Sequence, residues 1–174
     1  QEWFASRNVN LEIINVGGGL GIDYTDPEKP ANFNEYFALI REFVKLRPGQ
    51  QLHTEPGRSL IGQCGSLISK VLFIKKGSNT TFAIIDAGMN DLIRPALYQA
   101  YHKIENLTSN GPKGKYDVVG PVCESADSFG KLIELPETTR GDIIAIRSAG
   151  AYGEAMASRY NMRDLPRAVF SDEI

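Results

Sequence analysis

Cysteine, histidine and tryptophan are scarce: the 174-residue sequence holds two, two and one of them. Two cysteines, Cys64 and Cys123, make no disulfide framework, and no CxxC pair or Cys/His cluster offers a zinc site. A reducing, cytoplasmic setting is therefore expected. Charge of one sign is also missing. The 19 Lys plus Arg against 21 Asp plus Glu give a formal net charge of −2, without the basic excess of a nucleic-acid binder. The longest apolar runs, such as Val71-Leu72-Phe73-Ile74, fall far short of the roughly 20 residues a membrane-crossing helix needs, so no membrane partner is expected. No basic stretch followed by an apolar one opens the chain, so no signal peptide is expected there. Lacking an initiator Met, the chain is expected to begin inside a longer protein. What remains is 42% hydrophobic and 23% charged, the usage of an ordinary globular protein and not of a disordered one.

The pattern changes along the chain. Residues 12–16 form a buried-strand pattern running into Gly17-Gly18-Gly19-Leu20-Gly21. Apolar residues at Phe33, Tyr36, Phe37, Ile40, Phe43 and Val44 follow a 3.6-residue period, with Asn32 and Glu35 as a capping pair and Pro48-Gly49 as the stop. A short strand at 52–54 ends in Glu55-Pro56-Gly57-Arg58. Strand, helix and strand in this order imply parallel pairing within a larger covered sheet. From about Leu67 the texture turns to short strands, expected at 67–74, 81–86, 103–107, 116–119, 131–135 and 143–147, the spacing of a β-barrel or sandwich. Residues 59–66 suit a short helix or a strand start. Helices are expected at 91–101 and near 154–158, and the joint between the two textures at 58–65.

Three glycines after a strand let a backbone approach a ligand and present N–H groups to an anion. The dinucleotide fingerprint fails because Ile22 stands where a glycine is required, and no GK[ST] follows for a phosphate-binding P-loop. Phosphate binding and a tight structural turn stay equally open. Glu55 and Arg58 suit a salt bridge or a site, and their place at a second parallel strand end favours the site. Arg94, Tyr98 and Tyr101 at helical spacing, Cys123 beside Glu124, and Tyr152 between Gly150 and Gly153 each have an equally ordinary structural explanation. His53, His102 and Cys64 are assigned to structure, Cys64 as a small core residue.

Taken in order, Asn15-Val16-Gly17-Gly18-Gly19-Leu20-Gly21, Glu55-Pro56-Gly57-Arg58-Ser59, Asp86-Ala87-Gly88-Met89-Asn90-Asp91, Arg94-Pro95-Ala96-Leu97-Tyr98, Gly120-Pro121-Val122-Cys123-Glu124-Ser125-Ala126-Asp127 and Gly150-Ala151-Tyr152-Gly153 resemble the diaminopimelate decarboxylases. These pyridoxal 5'-phosphate enzymes make L-lysine from meso-diaminopimelate. The resemblance implies an α/β plus all-β fold: the last βα units of a (β/α)8 TIM barrel in residues 1–58, then a C-terminal β-barrel or sandwich domain in 59–174. It implies that Gly18, Gly19, Glu55, Pro56, Gly57, Arg58 and Tyr152 contact the cofactor. Arg58, Arg94, Tyr98, Glu124 and Tyr152 would bind substrate, and Cys123 would deliver a proton to the α-carbon. It implies a homodimer with shared sites, because the Cys123-Glu124 loop serves the other subunit in that family. The family's cofactor-binding lysine lies upstream, so this chain alone is expected to be inactive. An ornithine, arginine or carboxynorspermidine decarboxylase of the same fold, or a non-catalytic dimerisation or regulatory module, are the alternatives.

Overall fold

A computed structural model describes residues 1–173. A one-turn helix α1 (Glu2–Ala5) precedes β1 (Ile13–Asn15), helix α2 (Phe33–Phe43) and β2 (Gln51–His53). The two strands pair in parallel, Ile14 opposite Leu52. Helix α2 starts where the capping pair placed it: Asn32 accepts from the Glu35 N–H at 3.1 Å and donates back to the Glu35 carboxylate at 2.8 Å. It buries no residue fully, and Leu39, Phe43 and Ile13 stay between 49% and 75% exposed. Among the described residues β1 and β2 pair only with each other.

The second unit is one mixed sheet of six strands. These are β3 (Leu67–Lys76), β4 (Thr81–Ile85), β5 (Ile104–Asn106), β6 (Lys113–Val119), β7 (Ser128–Pro136) and β8 (Ile143–Ile146), in the order β5-β8-β3-β4-β6-β7. All neighbours are antiparallel except β4 and β6, which run parallel across the 86–112 excursion. The sheet curls until its two edges meet, with Ile104 of β5 packed beside Gly130 of β7. Val71, Ala83, Ile85, Val118, Ile144 and Ile146 line its inner face at 0% exposure. Each such fully buried Val or Ile contributes about 1.5–3 kcal/mol by leaving water, so this core is where the chain holds together.

Three local expectations are corrected. The helix expected at 91–101 is only α4 (Arg94–Tyr98). Asp91 instead closes the preceding turn by accepting from the Gly88 N–H at 2.7 Å, and Gln99 ends the helix in the left-handed conformation, φ 52°. The helix near 154–158 is a single 3-10 turn, Glu154–Met156. Cys64 is exposed and not a core residue, because the 3-10 turn Gly62–Cys64 after helix α3 (Arg58–Ile61) places Gly62 inside and Cys64 outside. Residues 59–66 therefore hold a helix and turn, the joint between β2 and β3. The two units touch through the 22–30 loop: Gln63 donates to the Pro27 and Lys29 carbonyls, and Arg147 pairs with Glu28.

Candidate functional site

The loop after β1 and the loop after β2 lie against each other. Glu55 donates its N–H to the Gly17 carbonyl at 2.8 Å, and a Cβ on Gly18 would fall on the Glu55 carbonyl. Only glycine permits that approach. Gly17 and Gly19 take φ of 71° and 98°, and the N–H groups of Gly18 and Gly19 donate to no acceptor among the described residues. A row of uncommitted N–H groups is what an anion such as a phosphate requires. Beside it, the Glu55 carboxylate receives the Asn15 amide at 2.5 Å, while Asn15 also accepts from the Gly17 N–H at 2.7 Å. Glu55 and Arg58 do not form a salt bridge.

Arg58 and Arg94 share a tyrosine. The ring of Tyr24 lies 6.0 Å from the Arg58 guanidinium and 5.8 Å from that of Arg94, and its hydroxyl accepts from Arg94 Nη2 at 3.3 Å. Arg94 is 6% exposed, the Nε atoms of both arginines are buried without a hydrogen-bond partner, and neither meets a carboxylate among the described residues. Tyr98 lies 5.9 Å from Arg94, and Tyr152 lies 5.8 Å from Arg58. Tyr152 arrives there because Gly150 packs on the end of α3, where a Cβ would strike the Ile61 carbonyl, and its own φ is 66°. A tyrosine held in that conformation is strained, a cost found where a side chain must be aimed.

His102 closes the cluster from below. It is 1% exposed, its Nδ1 meets the Arg147 carbonyl at 2.9 Å, and its ring stands edge-on to Tyr24 at 5.0 Å. Burial holds its pKa below the usual histidine value, and the nearby Arg94 and Arg58 charges push the same way against the Arg147 carbonyl. The imidazole is neutral at pH 7.

Cys123 and Glu124 join none of these contacts. Both are exposed, and no hydrogen bond or ion pair joins them to the Glu55, Arg58 and Arg94 groups. Asp127 folds their loop by accepting from Val122 N–H at 2.6 Å and from Met89 N–H at 2.7 Å. Glu124 accepts from the Tyr160 hydroxyl at 2.5 Å. Tyr24, Asp127 and Tyr160 escaped the reading of the sequence as site residues. Tyr24 follows the glycine loop directly and Asp127 ends the 120–127 motif, signals that could have raised them; Tyr160 carries no local signal. A cavity of about 840 Å³ lies instead between the C-terminal segment and the sheet, and none of Gly18, Glu55, Arg58 or Arg94 lines it.

Two parallel strand ends thus carry an N–H row and a carboxylate, and two guanidinium groups, on α3 and α4, meet no carboxylate among the described residues. The comparisons give the family. Residues 11–150 match the family described as pyridoxal-dependent decarboxylase, C-terminal sheet domain, and the chain belongs to it. Over its whole length it is 60% identical to a diaminopimelate decarboxylase of Bacteroides thetaiotaomicron, covering 46% of that protein. Over 98% of its length it is 45% identical to one of Haemophilus influenzae, covering 41%. A crystal structure of the Helicobacter pylori diaminopimelate decarboxylase complexed with L-lysine superposes with a TM-score of 0.81 at 40% identity, over 94% of this chain and 41% of that one. The chain thus spans less than half the length of these relatives.

Proposed function

We propose that this chain is the C-terminal part of a diaminopimelate decarboxylase, a carboxy-lyase that takes meso-diaminopimelate to L-lysine and carbon dioxide. The observation that carries this is Arg94, 6% exposed and without a carboxylate, beside a second unpaired guanidinium on Arg58. A buried cation left without a counter-charge is costly, so its partner comes from a ligand. Diaminopimelate has a second carboxylate at its far end; ornithine and arginine end there in cationic groups and leave Arg94 unpaired. The same argument disfavours a non-catalytic module, which would gain nothing from a buried cation without a counter-charge.

The residues present fit pyridoxal 5'-phosphate: free N–H groups on Gly18 and Gly19 suit its phosphate, and a carboxylate on Glu55 suits a protonated ring nitrogen. When bound, the cofactor supplies an electron sink for the carbanion left by loss of carbon dioxide. Glu55-Pro56-Gly57-Arg58 and Tyr152 hold its rim. Arg58 also takes a substrate carboxylate, while Arg94 and Tyr98 fix the distal carboxylate and Glu124 the distal ammonium. Cys123 delivers the proton to the α-carbon. Because Cys123 and Glu124 are exposed and bonded to none of these groups, we read their loop as serving a second subunit in a homodimer with shared sites. Residues 1–58, with two strands paired only to each other, are read as the last part of a (β/α)8 barrel, and 59–174 as the β domain. Two free thiols, Cys64 and Cys123, fit a reducing cytoplasm.

Steady-state kinetics of the full-length enzyme with diaminopimelate, ornithine and arginine test the reading. Preference for diaminopimelate, lost on Arg94→Ala, is expected; a wild-type enzyme preferring ornithine would overturn it.

A further inference from the structure

The C-terminal segment offers a contact that the roles above do not use. Tyr160, 36 residues beyond Glu124, donates its hydroxyl to Glu124 Oε1 at 2.5 Å, and Oε2 has no partner among the described residues. Tyr160 opens a 3-10 turn in which Asn161 and Met162 take φ of 57° and 60°. Left-handed backbone at a long side chain such as Met is strained and persists only where surrounding contacts impose it.

Those contacts are present. Ser158 donates its N–H to the Asn90 carbonyl at 2.9 Å, and the Asn90 amide reaches back to the Ser158 carbonyl at 3.5 Å. Arg163 donates to the Asp86 carbonyl at 2.5 Å and stands 3.7 Å from the Asp91 carboxylate. Residues 158–163 are thereby strapped to the Asp86–Asp91 turn. The same turn anchors the Cys123-Glu124 loop through Met89 N–H and Asp127. One turn thus sets the relative position of the Glu124 loop and the Tyr160 strap, although neither neighbours the other in sequence.

We propose that Tyr160 is a positioning residue for Glu124: the 158–163 strap holds a phenol whose O–H fixes one carboxylate oxygen and leaves the other for the substrate's distal ammonium. This rests on the reading of Glu124 as the acceptor of that ammonium. Both side chains are exposed, so without the strap the carboxylate would rotate freely and lose rotamer entropy on binding. The phenol removes that freedom beforehand. The Glu124 carboxylate in turn raises the Tyr160 pKa above its ordinary value, chiefly through the hydrogen bond itself, so the phenol stays a donor across the neutral range.

The test uses the full-length enzyme loaded with its cofactor, with L-lysine as the probe because it retains the amino-acid end of the substrate. Calorimetry gives its Kd, and steady-state kinetics give KM and kcat for diaminopimelate. Tyr160→Phe keeps the ring and removes the donor. A hydrogen bond to a charged group predicts that Kd and KM each rise about tenfold, with an unchanged melting temperature. In a Glu124→Ala background, which removes the acceptor oxygen, the same substitution is expected to add little. If Glu124→Gln weakens L-lysine while Tyr160→Phe does not, the positioning role is wrong and the Glu124 reading stands. Equal losses from Tyr160→Phe in both backgrounds, or a loss tracking a fall in melting temperature, also overturn it. If Glu124→Gln leaves L-lysine binding intact, the Glu124 reading itself falls.

Discussion

Replacing Arg94 by methionine separates a binding arginine from a structural one. Arg94 is 6% exposed, its Nε has no partner, and the one hydrogen bond of its guanidinium among the described residues is a 3.3 Å contact with the Tyr24 hydroxyl. Leaving such a donor buried and unsatisfied costs about 1–3 kcal/mol. The two ring contacts, at 5.8 and 5.9 Å to Tyr24 and Tyr98, offset about 0.5–1 kcal/mol each. These two terms nearly cancel, which leaves the uncompensated charge as a net cost in the unliganded protein. Methionine, unbranched and of similar length, fills the same space without a charge, so Arg94→Met should cost no more than about 1–2 kcal/mol of stability and is expected to be neutral or stabilising. Ligand binding should respond very differently, because removing one partner of a desolvated charge pair costs about 2–5 kcal/mol, or roughly 30- to 5,000-fold in Kd. Arg94→Lys should recover only part of that, since an ammonium cannot reproduce the planar fork. Denaturant titration and L-lysine calorimetry on the same full-length preparations measure both quantities. A stability loss above about 3 kcal/mol with L-lysine affinity unchanged would refute the reasoning and make Arg94 a structural residue.

Three further outcomes are expected. His102 has a lowered folded-state pKa, so the unfolded chain binds the extra proton first; stability should be full above pH 6.5 and fall as pH drops through the folded value. His102→Gln should flatten that dependence in denaturant titrations at pH 7.5 and 5, and an unchanged slope would count against it. Asp127→Asn should destabilise by about 1–3 kcal/mol, because one of the Met89 and Val122 N–H groups loses its acceptor to an opposing NH2; burial raises the Asp127 pKa, so the wild-type carboxylate is already held at a cost near neutral pH. Thermal unfolding at pH 7 measures the change. Gly18→Ala should force the β1 and β2 loops apart, since its Cβ meets the Glu55 carbonyl, and weaken pyridoxal phosphate binding in the full-length enzyme by at least tenfold in an absorbance titration.

The sequence by itself determined what depends on near neighbours. Helix α2 was legible because Asn32 and Glu35 cap each other within four residues and the apolar period continues to Phe43. The six sheet strands were legible because turn residues bracket each run, and the ordered motifs were specific enough to name a family. The Asp91–Tyr101 stretch misled because its apolar spacing fits a helix, while Asp91 has a better partner in the Gly88 N–H three residues back. Only the tertiary structure decided which residues meet. Tyr24 lies 70 residues from Arg94, Asp127 lies 38 from Met89, and Tyr160 lies 36 from Glu124. Those encounters are set by how the sheet curls and where the 22–30 and 158–163 segments dock on it. The unpaired state of Arg94 belongs to the same class. A charge is buried or exposed, paired or free, only relative to groups that folding brings from far along the chain, and local pattern carries no record of them.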